Sequence, residues 1–215
     1  MAWAEQLSVR RRIALELGVL AVLATLFLVL VPKRPILVDA GLALLAVGLI
    51  ALTAQETRER VWGAQPDAPA GRFRHAACHL LLGTAAVALL FAAWRIAVGG
   101  PLLKPTLFTA FVLFVPWALL QQTLFQFYLL GRLRALLVST PPLVVATVNG
   151  LLFGGVHLPE WDVTLVTIVG GSAWSWYYLH DRRLVPIALS HAVLGTTYFC
   201  WVRGQDLVGG WLGAL

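Results

Sequence analysis

Apolar stretches of about the length that crosses a bilayer run through most of this 215-residue sequence. A helix that spans the hydrocarbon core needs about 20 mainly apolar residues, and helices satisfy their own backbone hydrogen bonds there. Charged residues, prolines or glycines separate seven such stretches. These are residues 13–31, 36–54, 75–98, 106–130, 141–158, 163–179 and 185–202. The sequence therefore predicts an all-α fold, a polytopic transmembrane helix bundle with about seven spans.

Composition supports a membrane protein and excludes a nucleic-acid-binding one. Only 12% of the residues are charged, 60% are hydrophobic and the mean hydropathy is +0.82, whereas soluble domains carry roughly 25% charged residues. The net charge of +6 comes from basic residues in short clusters between apolar runs. Nucleic-acid-binding proteins present a contiguous basic face, so we expect membrane lipids as partners and no nucleic acid.

The distribution of basic residues also predicts orientation. With a cytoplasmic N-terminus, the cytoplasmic segments hold eleven of the sixteen lysines and arginines, which agrees with the positive-inside rule. The stretch 13–31 ends at Pro32-Lys33-Arg34-Pro35 without a small-residue cleavage site, so we interpret it as a retained helix. We expect an integral protein of a bacterial plasma membrane, with an N-terminal three-helix segment (1–104) and a core (105–215).

Three polar clusters interrupt the apolar spans of the core, where polar groups are costly and often functional. The first contains Gln121, Gln122 and Gln126 in the sequence WALLQQTLFQFYLLGRL. Gln122 and Gln126 are four residues apart and share a helix face. Hydrogen bonding between helices explains such residues at roughly 0.6–2 kcal/mol each, but three amides within six residues also suit a site.

The second cluster lies in the sequence VNGLLFGGVHLPEW. Asn149, Phe153 and His157 are spaced by four residues, which predicts that they project from one helix face. A histidine near a helix end is often only an interfacial polar group.

The residues around this histidine carry further expectations. Gly154 and Gly155 predict the close approach of a neighbouring helix, and Pro159 is expected to end the helix. Glu160 then lies in the exit loop.

The third cluster is centred on His191, in the sequence VPIALSHAVLGTTY. His191 lies about two turns into the last span, with Ser190 before it and Gly195 one turn later. A histidine at this depth needs a polar partner or a water-filled cavity, so it marks a candidate functional site.

The order and spacing of these clusters resemble the CPBP family of intramembrane proteases, the CAAX-protease and bacteriocin-processing group that is also called the Abi family. That family carries Glu-Glu-x-x-x-Arg, then Phe-x-x-x-His, then His-x-x-x-Asn on successive core helices. The stretch from Phe153 to His157 fits the second motif, and LVPIALSHAVLG resembles the segment around the third. The resemblance covers residues 105–200.

The chain departs from the family at its charged positions. Gln121, Gln122 and Gln126 stand where the family has two glutamates and an arginine, and Gly195 stands where it has an asparagine. Both motif histidines are present.

The resemblance implies an intramembrane endopeptidase that cleaves a membrane-associated protein or peptide with an activated water. In the family, the first glutamate and the second-motif histidine activate this water, and the third-motif histidine and asparagine steady the oxyanion. The implied catalytic residues are His157, His191, Gln121 and Gln122. The secondary candidates are Gln126 and Gly195, at motif positions, and Asn149 and Glu160, from the second polar cluster.

Chemistry leaves the activity open, because a glutamine side chain cannot accept the proton of a water as a glutamate can. Gln121 can only position a water molecule or donate a hydrogen bond. We therefore expect a weak or inactive protease, or alternatively a pseudoprotease that acts as a membrane binding or adaptor module. We expect no cofactor, with zinc held by His157, His191 and Glu160 as an alternative that lacks a characteristic zinc-binding spacing.

Two other readings rest on weaker signals. The sequence Gly170-Gly171-Ser172-Ala173, followed by a histidine one helix later, is faintly similar to the serine and histidine of rhomboid proteases. A transporter is disfavoured because the chain lacks paired broken helices in two matching halves.

Overall fold

The computed structural model describes residues 10–22, 44, 47, 48, 50, 51 and 70–212, and within the last range it describes the side chains of residues 76–210. Residues 10–22 form helix α1. The later helices are α2 (Ala70–Ala97), α3 (Thr106–Leu136), α4 (Pro142–Gly155), α5 (Trp161–Asp181), α6 (Leu184–Val202) and α7 (Leu207–Leu212). No strand occurs among the described residues, so the all-α prediction is confirmed.

The described helices fit a helical membrane bundle. Those long and apolar enough to cross a membrane are residues Ala76–Ala97 of α2, the 31-residue α3 and the 19-residue α6, while α4 is apolar but shorter. Helix α5 has 21 residues, but its many aromatic and hydroxyl side chains lower its hydropathy. Of the two predicted N-terminal spans, 13–31 is described only as far as residue 22, and 36–54 only at residues 44, 47, 48, 50 and 51.

Helix α3 extends beyond its predicted end near residue 130. It continues to Leu136, and Arg132, which the sequence suggested was a loop charge, is buried within it at 1% exposure. The segment Thr123–Leu129, directly after the glutamine pair, has π-helical geometry. Such wider turns often occur at functional sites.

The chain divides into two compact units, and the division passes through α3. The described part of the first unit comprises residues 10–22, 44–51 where described, and 124–180; that of the second comprises 70–123 and 181–212. The first unit contains Gln126, Asn149, His157 and Glu160. The second contains the remaining candidate residues, which are Gln121, Gln122, His191 and Gly195.

In the first unit, glycines let α4 and α5 pack with their backbones close together. A Cβ atom on Gly154 would lie 2.7 Å from the carbonyl oxygen of Thr164, and one on Gly171 would lie 2.9 Å from the Phe153 ring. The predicted close approach is therefore present at Gly154. It is absent at Gly155, where a Cβ atom would have nothing within 4 Å.

In the second unit, α6 packs against both α3 and α2. Phe114 and Ala118 of α3 form a buried apolar cluster with Ala192 of α6. On another face of α6, the hydroxyl groups of Ser190 and Thr84 of α2 are 2.6 Å apart. Since Thr84 donates its proton to the Leu80 carbonyl at 2.8 Å, Ser190 is the donor to Thr84.

The distribution of polarity is that of a protein solvated by lipid. Large apolar side chains such as Leu82, Leu89 and Phe108 are about 70% exposed, whereas Gln122 and Asn149 are fully buried. Hydrocarbon favours apolar side chains at the surface and requires polar ones to find partners inside. The fold thus places its amides and hydroxyls in the interiors of the two units.

Candidate functional site

A buried hydrogen bond joins the first and third motifs within the second unit. The side-chain nitrogen of Gln122, on α3, lies 3.1 Å from Nδ1 of His191, on α6. The exposed fractions of the two residues are 0% and 5%. An amide nitrogen can only donate, so the imidazole nitrogen accepts this hydrogen bond. Gln121, the neighbouring residue on α3, is only half-buried.

Aromatic packing fixes the other side of the His191 ring. The ring of Phe114 meets it edge-on, with centroids 5.6 Å apart and planes inclined at 82°. The flanking Ser190 is engaged with α2, as described above, so its hydroxyl serves helix packing. The Gln122 amide and the Phe114 ring thus both contact the imidazole of His191.

Phe114 also occupies the space beside Gly195, the position of the family's asparagine. A Cβ atom on Gly195 would lie 2.9 Å from two carbons of the Phe114 ring. An asparagine therefore does not fit here unless the phenylalanine moves. The absence of a side chain at Gly195 thus makes room for the ring of Phe114.

The first unit contains a separate network of buried polar groups. The amide nitrogen of Asn149 donates to Ser175 Oγ at 2.8 Å, to the Phe125 carbonyl at 3.2 Å and to Gln126 Oε1 at 3.3 Å. Ser175 in turn donates to the Gly171 carbonyl at 2.6 Å. Asn149, Gln126 and Ser175 are each 0% exposed. The residue in the place of the family's arginine thus binds an asparagine of α4.

His157 lies in a turn after α4, which corrects the prediction that it projects from the same helix face as Asn149. The helix ends at Gly155, and the His157 backbone N–H donates to the Gly154 carbonyl at 2.9 Å. The end comes before Pro159 because two consecutive glycines weaken the last turn and the residue before a proline disfavours helical geometry.

The turn holds the His157 ring by its own backbone. Its Nδ1 lies 3.0 Å from the Phe153 carbonyl oxygen, which can only accept, so Nδ1 carries a proton. In the neutral ring Nε2 is then the basic nitrogen. Glu160 is exposed and directly precedes α5.

Two of the rarer alternatives can be compared with the structure. Ser172 donates to the Ile168 carbonyl at 2.8 Å. It lies where α4 and α5 pack closely together. Among the described residues, no three side chains of the metal-binding types are grouped so that they could hold a metal ion.

A charge pair between a buried arginine and a partly exposed glutamate in the first unit was not predicted from the sequence. Arg132 of α3 donates through Nε to Glu16 of α1 at 3.1 Å, and the Tyr128 hydroxyl donates to the same carboxylate oxygen at 3.2 Å. Glu16 is the one acidic residue in the apolar stretch 13–31. A lone charge in a span requires an opposite charge, so this residue was a usable signal for a partner such as Arg132.

Comparison with known families agrees with the motifs. Residues 103–197 match the family model described as type II CAAX prenyl endopeptidase Rce1-like. The predicted family resemblance is confirmed. No curated protein and no solved structure gives a significant match to the chain.

The part that resembles the CAAX prenyl endopeptidases contains all eight candidate residues. It begins before α3 and ends in α6 at Thr197. The chain is thus similar to intramembrane proteases over the helices that carry the Gln122–His191 pair, His157 and the Asn149 network, including the positions where the motif charges have been replaced.

Proposed function

We propose that this protein is a CAAX-protease-type intramembrane endopeptidase whose peptide hydrolysis is weak or absent, and that it acts on a membrane-associated protein or peptide. One observation carries the proposal. The buried polar partner of the third-motif histidine is an amide, Gln122, at a position where the family has a carboxylate. The site thus keeps hydrogen-bonding groups and lacks a basic carboxylate in motif one.

The residual chemistry rests on His157. Its Nδ1 proton is donated to the Phe153 carbonyl, which leaves Nε2 as the nitrogen that would accept the proton of an attacking water. A carboxylate beside a histidine orients the ring and stabilises the imidazolium that forms, which an amide does not do. Without it, proton transfer from water is expected to be slow.

A second candidate is a pseudoprotease that binds a membrane peptide without cutting it. The packing of Phe114 against Gly195 favours this candidate. It fills the place of the asparagine that would help to stabilise an oxyanion, and fixed donors are a large part of such stabilisation. Binding of a substrate carbonyl needs fewer donors than catalysis does.

We also propose that the protein lies in a bacterial plasma membrane with a cytoplasmic N-terminus, and the arginine distribution supports this orientation. Cysteine labelling of single-cysteine variants in intact cells tests the orientation. Labelling of a cysteine at residue 10 by a membrane-impermeant reagent from the outside would contradict it.

Activity is tested with purified protein in liposomes and a panel of helical and lipidated peptides. We expect low turnover from the wild type and an increase of about tenfold or more from Gln121→Glu, because general-base assistance contributes about 10²–10⁴-fold. Gln205→Glu, an exposed change in the second unit, is the matched control for added charge.

The His157→Ala variant distinguishes the two candidates. Robust wild-type turnover that disappears in His157→Ala would contradict weak hydrolysis and show that the glutamines suffice. Peptide binding by the wild type without cleavage, and without gain in Gln121→Glu, would favour the pseudoprotease. If no peptide is bound or cut by any variant, the proposed function fails.

A further inference from the structure

A cluster of charged side chains joins α1 to the C-terminal part of α3, and it contains one arginine in excess. Glu16 accepts a hydrogen bond from Arg12 Nε at 3.1 Å through Oε1. Its other oxygen, Oε2, accepts one from Arg132 Nε at 3.1 Å and one from the Tyr128 hydroxyl at 3.2 Å. Two guanidinium groups thus share a single carboxylate, and the cluster keeps one positive charge that none of its own side chains compensates.

The inner arginine of this cluster has donors to spare. A guanidinium group carries five N–H donors, but the contacts described for Arg132 are the bond through Nε and a position 4.9 Å from the centroid of the Tyr128 ring. Its Nη2 atom is buried and has no hydrogen-bond partner among the described residues. Because a buried donor without an acceptor is costly, this nitrogen favours a further acceptor.

The described part of the first unit supplies no second acid for the cluster. Its other acidic residues are Glu160 and Asp162. They follow the C-terminal end of α4, whereas Arg132 lies near the C-terminal end of α3, which the chain links directly to the start of α4. The 14 residues of α4 separate its two ends by about 20 Å.

The length of α3 places the cluster at the level of the lipid headgroups. A straight helix of 31 residues is about 46 Å long, whereas the hydrocarbon core of a bilayer is about 30 Å thick. With the excess divided between the two ends, roughly the last five residues of α3 lie outside the core, and Arg132 is among them. The side chain of Arg12, bound to the same carboxylate, is 55% exposed.

The face of α1 that continues from Arg12 is suited to acyl chains. Leu15, Val19 and Val22 lie three, seven and ten residues after this arginine, which places them on the same side of the helix. Their exposed fractions are 71%, 58% and 58%. A phospholipid has the matching arrangement, because its phosphate is joined to hydrocarbon chains that run into the bilayer. A free phosphate ion would use the arginines alone.

We propose that Arg12 and Arg132 form a binding site for the phosphate of an anionic phospholipid, whose acyl chains lie along the apolar face of α1. Guanidinium groups bind phosphate oxygens through paired N–H donors, and basic residues between helices at a membrane surface bind anionic headgroups. The exposed Arg12 makes the first contact, and its long side chain can move with the phosphate towards the buried Nη2 of Arg132. The site does not depend on the peptidase function proposed above.

Native mass spectrometry of the purified protein in maltoside detergent measures the affinity for the first bound lipid. The probes are phosphatidylglycerol, phosphatidylcholine and the water-soluble glycerol phosphate. We expect phosphatidylglycerol to bind most tightly, because phosphatidylcholine carries a positive group beside its phosphate and glycerol phosphate has no acyl chains. Equal affinity for phosphatidylcholine would overturn recognition of an anionic headgroup, and equal affinity for glycerol phosphate would overturn the lipid as the occupant.

Two arginine substitutions test the site itself. Arg12→Gln should weaken the binding of phosphatidylglycerol about fivefold, as expected for the loss of one basic residue beside an anionic headgroup. Arg11→Gln is the matched control, because it removes the same charge from an exposed position on the same helix. An equal loss in these two variants would show only a general attraction by surface charge, and would overturn the site.

Arg132→Lys keeps the positive charge and removes the paired N–H donors, so it should also weaken the binding about fivefold or more. Unchanged affinity in this variant would contradict the role of Arg132 as the inner donor. If Arg132→Lys does not fold, the comparison of Arg12→Gln with Arg11→Gln decides.

Substitution of the glutamate gives an effect of the opposite sign. Glu16→Gln keeps the shape of the side chain and removes the carboxylate that competes with a phosphate for both arginines. This variant should bind phosphatidylglycerol more tightly than the wild type does. Weaker binding by folded Glu16→Gln would show that the lipid phosphate does not bind at this cluster.

Discussion

The two units satisfy their buried polar groups in different ways. In the first unit, Asn149 has three acceptors, and Arg132 is paired with the carboxylate of Glu16. In the second unit, the buried polar contacts Gln122–His191 and Thr84–Ser190 join side chains other than carboxylates, lysines and arginines. The buried Asp181 of this unit lies 3.9 Å from Arg183. The first unit thus has the closer charge pair, outside the family motifs, whereas the contact at motif positions in the second unit joins an amide to an imidazole.

This difference separates a structural role from a chemical one. The amide nitrogen of Asn149 is held by groups on neighbouring helices, whereas its side-chain oxygen is buried and has no hydrogen-bond partner among the described residues. His191, in contrast, is contacted at Nδ1 by an amide of the first motif. We therefore expect the polar network of the first unit to contribute mainly to stability, and the proposed function makes the pair in the second unit the candidate for peptide recognition.

The largest expected effect comes from breaking the charge pair in the first unit. Glu16→Ala leaves Arg132, which is 1% exposed, without its carboxylate. Removing one partner of a fully buried pair costs about 3–5 kcal/mol, and since the Glu16 side chain is 24% exposed we expect a loss near the lower end of that range. Unfolding in mixed micelles by denaturing detergent measures the change. Glu16→Ala combined with Arg132→Met should recover most of the loss, because no buried charge then remains.

Arg11→Ala is the control for this prediction, since Arg11 is an exposed charge on the same helix and exposed substitutions usually change stability by less than about 0.5 kcal/mol. If Glu16→Ala costs no more than Arg11→Ala, the charge pair does not stabilise the first unit and the contrast with the second unit is lost.

Helix packing in the first unit gives the next largest effect. Gly154→Ala places a Cβ atom 2.7 Å from the Thr164 carbonyl oxygen, and overpacking of this kind costs about 1–3 kcal/mol. Gly155→Ala, the adjacent position, meets nothing within 4 Å and should change the unfolding free energy by less than about 1 kcal/mol. Equal effects at the two glycines would show that α4 and α5 are not in close contact.

The corresponding test in the second unit concerns Gly195 and Phe114. Gly195→Asn restores the family residue but brings its Cβ atom 2.9 Å from the Phe114 ring, so we expect a loss near 1 kcal/mol, at the lower end for overpacking because a ring can shift. In the Phe114→Ala background the same substitution should cost less. A double-mutant cycle measures this coupling, and additive effects would contradict a shared space.

Much of the fold followed from hydropathy, and the site followed from polar residues inside apolar stretches. Gln122 and His191 were identified because amides and imidazoles are costly in lipid, and the family match spans both. The pattern could not show that Gln122 rather than Gln121 reaches the histidine, since adjacent residues differ by 100° around a helix and only packing selects between them.

Other features depended on contacts that a linear pattern does not contain. Arg132 looked like the end of a span, because a charge usually marks the membrane surface, and its partner Glu16 is more than a hundred residues away. His157 was placed on a helix because four-residue spacing suggests one. The helix ends at the glycine pair before it. The same two glycines suggested two close contacts with a neighbouring helix, but only Gly154 makes one.

The smallest expected effect compares single hydroxyl groups in the two units. Ser175→Ala removes the shortest of the three hydrogen bonds of Asn149, but the Phe125 carbonyl and Gln126 remain as acceptors. Ser190→Ala removes the donor to Thr84, which still donates to the Leu80 carbonyl.

Hydrogen bonds between helices in membranes contribute about 0.6 kcal/mol on average, so each variant should lose about that amount of unfolding free energy in the same micelle assay. A loss above about 2 kcal/mol for Ser175→Ala alone would mean that the network is cooperative and that its three acceptors do not replace one another. Such a result would show that the first unit tolerates the loss of one hydrogen bond less well than the three acceptors of Asn149 suggest.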